Sequence, residues 1–269
     1  MAREVGNANV VIAIIDGQPA HHPDFSPLIR SSTLTSGSED AHHATFVAGV
    51  LFARRGTRAP AICPGCTPMV HPIFGREPQP GAAMPRASPD DLAAAIGESV
   101  RRGADVINLS VAVAQPSTRS EPQLRAALDF AARAGCMVVA AAGNQSLLGS
   151  SPITRHSWVI PVAAFDATGR PLHETNLGAS VGRQGLGGPG VGVRSLGPRG
   201  GYVLGGGTSA AVPFVTGAIG LLLSAFPTVS RYELRQALTA KTANGRASVV
   251  PRLLDAESTY AYVARAVAA

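Results

Sequence analysis

The chain has 269 residues, 45% of them hydrophobic, with 23 lysines and arginines against 17 acids and a formal net charge of +6. Such a length and apolar content suit one globular domain spanning residues 1–269 with a large core, and exclude a disordered or fibrous chain. No run approaches the roughly 18 consecutive apolar residues of a membrane span, and no basic segment followed by an apolar one opens the chain as a secretion signal.

In chain order, the first clear element is Val10-Val11-Ile12-Ala13-Ile14-Ile15, a mostly β-branched run that reads as a buried strand of a parallel sheet. Asp16 stands at its carboxyl end, where open α/β sheets place their sites; the plainer alternative is a turn made by Asp16-Gly17. His43 then precedes a small-residue, helical run, Ala44-Thr45-Phe46-Val47-Ala48-Gly49. Ser88-Pro89-Asp90-Asp91 offers an N-cap, a proline at the first helical position and acids in the first turn, for a helix that runs to Gly103. Asp105 to Val111 follows as a strand. Ser120 is expected to cap a helix through Leu124, Leu128 and Ala131 to Gly135, and the strand Cys136 to Ala142 comes next. Successive helix-then-strand units predict right-handed crossovers and a parallel sheet with helices on both faces, a doubly wound α/β fold. Val159 to Ala164 adds a strand, and the glycine-rich span 178–207 reads as loops and short hairpin strands. A long apolar helix is expected from Ser209 to Phe226. Ser230-x-x-Glu233 has the form of a capping box for another helix, and Leu254 to Ala269 reads as a surface helix.

Three segments carry chemistry. Gly207-Thr208-Ser209-Ala210-Ala211-Val212-Pro213 holds a hydroxyl at a helix N-terminus after a glycine run, on backbone that a substrate can approach closely. With Asp16 and His43 it gives the chain order Asp, His, Ser, one of the known orders of a serine-nucleophile triad. Each segment alone has an ordinary structural reading; their value lies in the combination.

The remaining chemistry is sparse. The positive charge is nearly all arginine and dispersed, with no aromatic stacking platform, so nucleic-acid binding is not expected. A mildly basic surface favours acidic peptides through long-range attraction. Cys63-Pro64-Gly65-Cys66 admits redox, zinc and structural readings; zinc lacks a second ligand pair and a strand rather than a helix follows, so a tight structural loop is expected, with a bridge under oxidising conditions left open. Cys136 lies in an apolar run as an inert core residue. No acidic cluster has calcium-loop spacing, and neither a metal nor another cofactor is expected.

Taken together, the motifs resemble those of the subtilisin-like serine proteases, or subtilases (peptidase S8), over nearly the whole chain. Family patterns of the types Asp-x-Gly, His-Gly-Thr-His-Val-Ala-Gly and Gly-Thr-Ser-Met-Ala-x-Pro-His-Val-x-Gly are similar to the segments at Asp16, His43–Gly49 and Gly207–Gly217. His22-Pro23-Asp24-Phe25 is similar to the segment that follows the family's aspartate, which argues against His21 or His22 as the base. Ala140-Ala141-Ala142-Gly143-Asn144 resembles the segment with the oxyanion asparagine. The resemblance implies a subtilisin-like fold, a triad of Asp16, His43 and Ser209, an oxyanion site at Asn144 aided by the Ser209 N–H, and a peptide substrate held beside Ser110, Val111, Ala112, Ala142, Gly143 and Ser150. It further implies an S1 wall near Ser150-Ser151-Pro152 with a proline that is often cis. The chain departs from the family at Val111-Ala112-Val113, where two glycines are lost, and at Ala44, Phe46, Ala210 and Phe214.

Ile15-Asp16-Gly17-Gln18-Pro19 and the span from Cys63-Pro64-Gly65-Cys66 to Pro72-Ile73-Phe74 resemble the cyanobactin maturation proteases and related peptide-pathway subtilases. That resemblance implies trimming of a ribosomal precursor peptide. Relatives that macrocyclise carry a helical insertion between aspartate and histidine; here those residues are too close in sequence for one, so hydrolysis is expected. General degradation and non-catalytic peptide binding are the competing readings. No propeptide fits ahead of Asp16, so either the chain is already trimmed or it matures without one, and a cytoplasmic location is expected.

Overall fold

The computed structural model describes residues 4–26, 39–74, 87–111, 120–240 and 247–268. Seven parallel strands form the main sheet in the order β2-β1-β3-β4-β5-β6-β9. They are β1 (Val11–Asp16), β2 (Thr67–Pro72), β3 (Val106–Leu109), β4 (Met137–Ala141), β5 (Val159–Phe165), β6 (Leu186–Pro189) and β9 (Arg252–Leu253). An antiparallel hairpin, β7 (Val193–Leu196) and β8 (Tyr202–Gly205), stands apart from this sheet.

Alternation along the strands divides the core in two. Ile12, Ile14, Val106, Val139, Ile160 and Val162 face α1 (Glu39–Phe52) and α5 (Thr208–Ala225). Ala13, Ile15, Ile107, Leu109 and Val138 face α2 (Pro89–Arg101) and α3 (Pro122–Arg133). Because both faces are covered, the central strands are nearly continuous apolar runs, broken by Asp16 at the end of β1 and Asn108 within β3. Each fully buried Ile or Leu contributes about 1.5–3 kcal/mol from burial. The doubly wound α/β expectation is met.

The Ser88 cap is complete: its hydroxyl accepts from Asp91 N, and the Asp91 carboxylate accepts from Ser88 N at 3.1 Å. Several local expectations need correction. The N-cap of α3 is Glu121 rather than Ser120, because Pro122 fixes the first helical position. Ser230 does occupy the N-cap of α6 (Arg231–Thr239), but its side chain makes no capping bond, so no capping box forms. The glycine-rich span contains a helix, α4 (Ala179–Gln184), and a strand of the main sheet, β6, besides the hairpin. His43 lies inside α1 rather than ahead of it. The C-terminal helix is α7 (Ala256–Ala268).

By length and composition α5 could cross a membrane, yet 78% of it is buried inside the fold. It is the central core helix, packed on β3, β4, β5 and β6.

Candidate active site

Asp16 closes β1, fully buried, with its Oδ1 accepting from the Gly17 N–H at 2.7 Å. His43 comes from the second turn of α1. Its Nδ1 lies 2.9 Å from both Asp16 oxygens, so the tautomer with the proton on Nδ1 is held and Nε2 is left facing away from the carboxylate. Thr45 fastens this arrangement. Its hydroxyl donates to Ala41 O at 2.6 Å and accepts from Ala20 N at 2.9 Å, tying the segment after Asp16 to the helix that carries His43. Burial pushes the His43 pKa down, but the Asp16 charge and hydrogen bond together outweigh it, and the net shift is upward from the ordinary value.

His22 is occupied elsewhere. Its Nδ1 accepts from Asp24 N and its Nε2 donates to Gly201 O, each at 3.0 Å, so neither ring nitrogen is free for base chemistry. Asp24 in turn accepts from the Tyr202 hydroxyl at 2.5 Å and from Arg54 at 3.0 Å. The loop beyond Asp16 is thereby sewn to the β7–β8 hairpin that leads into Ser209.

Ser209 is the second residue of α5, whose N-cap is Gly207 at φ +77°. Glycine suits that position on two counts. The angle is left-handed, and a Cβ there would meet the Asn144 amide at 3.0 Å. At this helix start the Ser209 N–H has no acceptor one turn earlier within the helix. Pro213, four residues after Ser209, has no N–H to offer the Ser209 carbonyl. The Ser110 hydroxyl donates to that carbonyl instead, at 3.3 Å. Behind it, Asn108 Nδ2 donates to Ser110 Oγ at 2.7 Å, and Thr216 Oγ1 donates to Asn108 Oδ1 at 2.9 Å. The start and the third turn of α5 are thus both pinned to β3 or its end. The Ser209 hydroxyl makes no hydrogen bond to His43 among the described residues; such contacts are often long without substrate and tighten in the complex.

Asn144 lies beside the same helix start. Its Oδ1 accepts from Thr208 N at 2.9 Å and from Thr208 Oγ1 at 3.0 Å. A backbone N–H can only donate, so the amide orientation is decided by chemistry, and Nδ2 remains a donor for an incoming group.

Of the expected substrate-binding residues, Ser110 is buried with its hydroxyl already used, leaving only its backbone for a peptide. Ala142 and Gly143 are buried, Val111 and Ser150 half-buried, and Ala112 lies outside the described residues. No described peptide bond is cis, so Pro152 is trans. Ser151 and Thr154 there exchange backbone-to-hydroxyl bonds of 2.9 and 3.1 Å that close a tight turn. The motifs drew attention to Asp16, His43, Asn144 and Ser209, but not to Thr208, Asn108 or Thr216. Thr208 and Thr216 lie within the serine motif itself, and a β-strand asparagine as deeply buried as Asn108 needs partners; those were the available signals.

A groove of about 1140 Å³ lies elsewhere, between α5, β6 and α7, lined by Phe214, Leu221, Leu253 and Tyr260 among others. None of the catalytic candidates borders it. The three thiols are free. Cys63 hydrogen-bonds Cys66 and, with help from Ser224 and against burial, lowers it to about 7; burial raises Cys136 to about 12, in keeping with an inert core thiol. Among the described residues no group of three or more His, Cys, Asp or Glu is placed to hold a metal ion.

Residues 7–257 match the Subtilase family, peptidase S8. The chain belongs to the subtilase family. Among sequence relatives, subtilisin DY of Bacillus licheniformis is 31% identical over 247 residues, covering 88% of this chain and 85% of the relative. A thermostable alkaline protease of Halalkalibacterium halodurans is 27% identical, covering 84% of this chain and 60% of the relative. Among solved structures, a mutant of the protease domain of PatA superposes with a TM-score of 0.87 at 27% identity, covering 99% of both chains. The prenylagaramide maturation protease PagA superposes at 0.82 with 26% identity, covering 96% of this chain and 94% of its own. This subtilase is a serine protease of the subtilisin type, with the subtilisin-like α/β sheet.

Proposed function

We propose that this subtilase cuts a ribosomal precursor peptide by hydrolysis, with Asp16, His43 and Ser209 as triad and Asn144 as oxyanion donor. The observation that carries the triad is the 2.9 Å pairing of His43 Nδ1 with both oxygens of buried Asp16. In this reading Ser209 Oγ bonds to the substrate carbonyl carbon as its proton passes to His43 Nε2. The carbon–nitrogen bond then breaks, and His43 returns the proton to the leaving amine. Water attacks the acyl-enzyme by the same route. Asp16 holds the imidazole and balances the imidazolium without taking the proton. Asn144 Nδ2 and the Ser209 N–H donate to the oxygen that becomes negative.

The precursor reading is supported by the likeness to PatA and to the prenylagaramide maturation protease PagA. Hydrolysis is supported by the spacing of 27 positions between Asp16 and His43. The net charge of +6 favours an acidic peptide. General degradation is the second reading, favoured by the 31% identity to subtilisin DY.

Intact mass after exposure to a fluorophosphonate tests the triad. One adduct is expected on the native chain and none on Ser209→Ala; a folded native chain with no adduct overturns the assignment. Unfolded casein and synthetic leader–core peptides then separate the two readings. Defined cleavage of the peptide into two linear fragments with casein spared is expected. Rapid digestion of casein overturns the pathway reading, and a returned ring overturns hydrolysis.

A further inference from the structure

The loop that presents Asn144 is built around one side chain from elsewhere in the chain. Asn176 lies between β5 and α4 and is 3% exposed. Its Oδ1 accepts from Gln145 N at 3.0 Å and from Leu147 N at 3.1 Å. Its Nδ2 donates to Ala142 O at 3.2 Å and to Gln145 Oε1 at 2.6 Å. Its own N–H donates to Gly143 O at 2.8 Å. A primary amide has two donors and two acceptor sites, and all four are used within residues 142–147. The backbone partners also fix which end is oxygen, since Gln145 N and Leu147 N must donate and Ala142 O must accept.

Asn144 itself is exposed and has no such support from its own loop. Among the described residues its side chain is tied only on the Thr208 side. The residue before it, Gly143, has φ +105°, and a Cβ there would run into Asn176 Nδ2. With Asn176 packed behind it, the turn takes this shape only with glycine at 143. Asn176 holds both flanks, Ala142–Gly143 before and Gln145–Leu147 after, leaving Asn144 as the projecting residue between them.

We infer that Asn176 is a positioning residue for the oxyanion donor, acting through Asn144 and never touching substrate. The inference rests on the oxyanion reading of Asn144 given above. An oxyanion donor counts only where charge develops, so a loosened one lowers the chemical rate and leaves substrate binding nearly unchanged. Asn176→Ala removes all four side-chain bonds, whereas Asn176→Asp keeps the shape and both acceptor sites but loses both donors.

The test measures labelling rates with a fluorophosphonate, whose adduct presses an oxygen into the oxyanion site, and kcat and KM on a peptide p-nitroanilide. Removing one such donor costs on the order of 10²–10³ in kcat, a magnitude known from subtilisin. Asn144→Ala is expected to fall in that range. Asn176→Ala should lose about 10- to 100-fold in kcat and in labelling, with KM moved less than about threefold. The double variant Asn144→Ala/Asn176→Ala should be no slower than Asn144→Ala alone, because the second change has nothing left to misplace. Multiplied losses in the double variant overturn the inference, since they mean that Asn176 supports the fold at large. So does a native labelling rate in Asn176→Ala. If the unmutated chain fails to label, the protease assignment falls and this inference with it; a labelled unmutated chain isolates the inference.

Discussion

The two sides of the site are held by different physics. On one side, Asp16 and His43 form a single charged contact whose carboxylate is fully buried and whose imidazole is 28% exposed. On the other, Thr208, Asn144, Asn176, Ser110, Asn108 and Thr216 form neutral hydrogen bonds that cross between β3, α5 and two loops. The charged side is simple, titrates, and fails if one atom changes. The neutral side has many bonds, no ionisation near neutrality, and fails in steps. Acid–base work needs a group that can change charge, while an oxyanion donor must only be aimed.

Changing a single atom on the charged side tests this contrast most severely. Asp16→Asn should cut kcat by about 10⁴ with the fold intact, because an amide presents N–H to His43 and favours the wrong tautomer. Labelling kinetics and a melting curve on the purified variant check it; a loss under tenfold would mean that the carboxylate does not orient the base.

The pH profile comes next in size. His43 must be neutral to take the serine proton, and its pKa lies above 6.5 once the Asp16 attraction has overcome burial. Labelling should therefore rise about tenfold per pH unit below that raised pKa and level off above it. The raised pKa has the opposite sign for stability. The charged pair stabilises the fold fully below about 6.5, and that contribution is lost as pH rises through the folded-state value. Activity and this part of the stability should thus cross over in the same window, and paired rate and melting measurements across pH 5–9 would expose a failure of either. The Asn144→Ala loss should be flat over the plateau.

The smallest effect is expected at Thr216. Thr216→Val keeps the volume but leaves the Asn108 Oδ1 without its partner where nothing is exposed, which costs about 1–3 kcal/mol. Chemical denaturation reads that directly. Labelling should slow no more than about tenfold, since Ser110 still reaches the Ser209 carbonyl; a loss as large as that of Asn144→Ala would place the aiming of the nucleophile in this chain of bonds.

The same contrast governs what the sequence discloses. The helix-and-strand alternation through β4 is legible because each unit carries its own signals, such as the Ser88-Pro89 start and the apolar faces of β1 and β3. Asp16, His43, Asn144 and Ser209 stand in short local motifs, and the family could be recognised from them. Asn176 is not legible, because its partners lie 29 to 34 positions away and obey no spacing rule. Nor is β6. A Cβ on Gly187 would press into the Phe165 ring at 2.5 Å, and one on Gly188 would meet the Ala211 carbonyl at 2.9 Å. Close packing therefore demands residues that look like loop.

The helix that carries Ser209 has a consequence for the order in which the proposed site is assembled. Asp16 and His43 belong to the first pair of elements, whereas Ser209 opens the helix that fills the centre of one core and bonds to residues 99 and 108 positions earlier. Contacts of such separation form late, after much of the sheet has closed. On the proposed triad, a chain still being synthesised, or one cut short of Thr208, has the base and the carboxylate that orients it but nothing to attack with. On that reading, cleavage begins only once this core helix is in place, so half-made copies cut nothing.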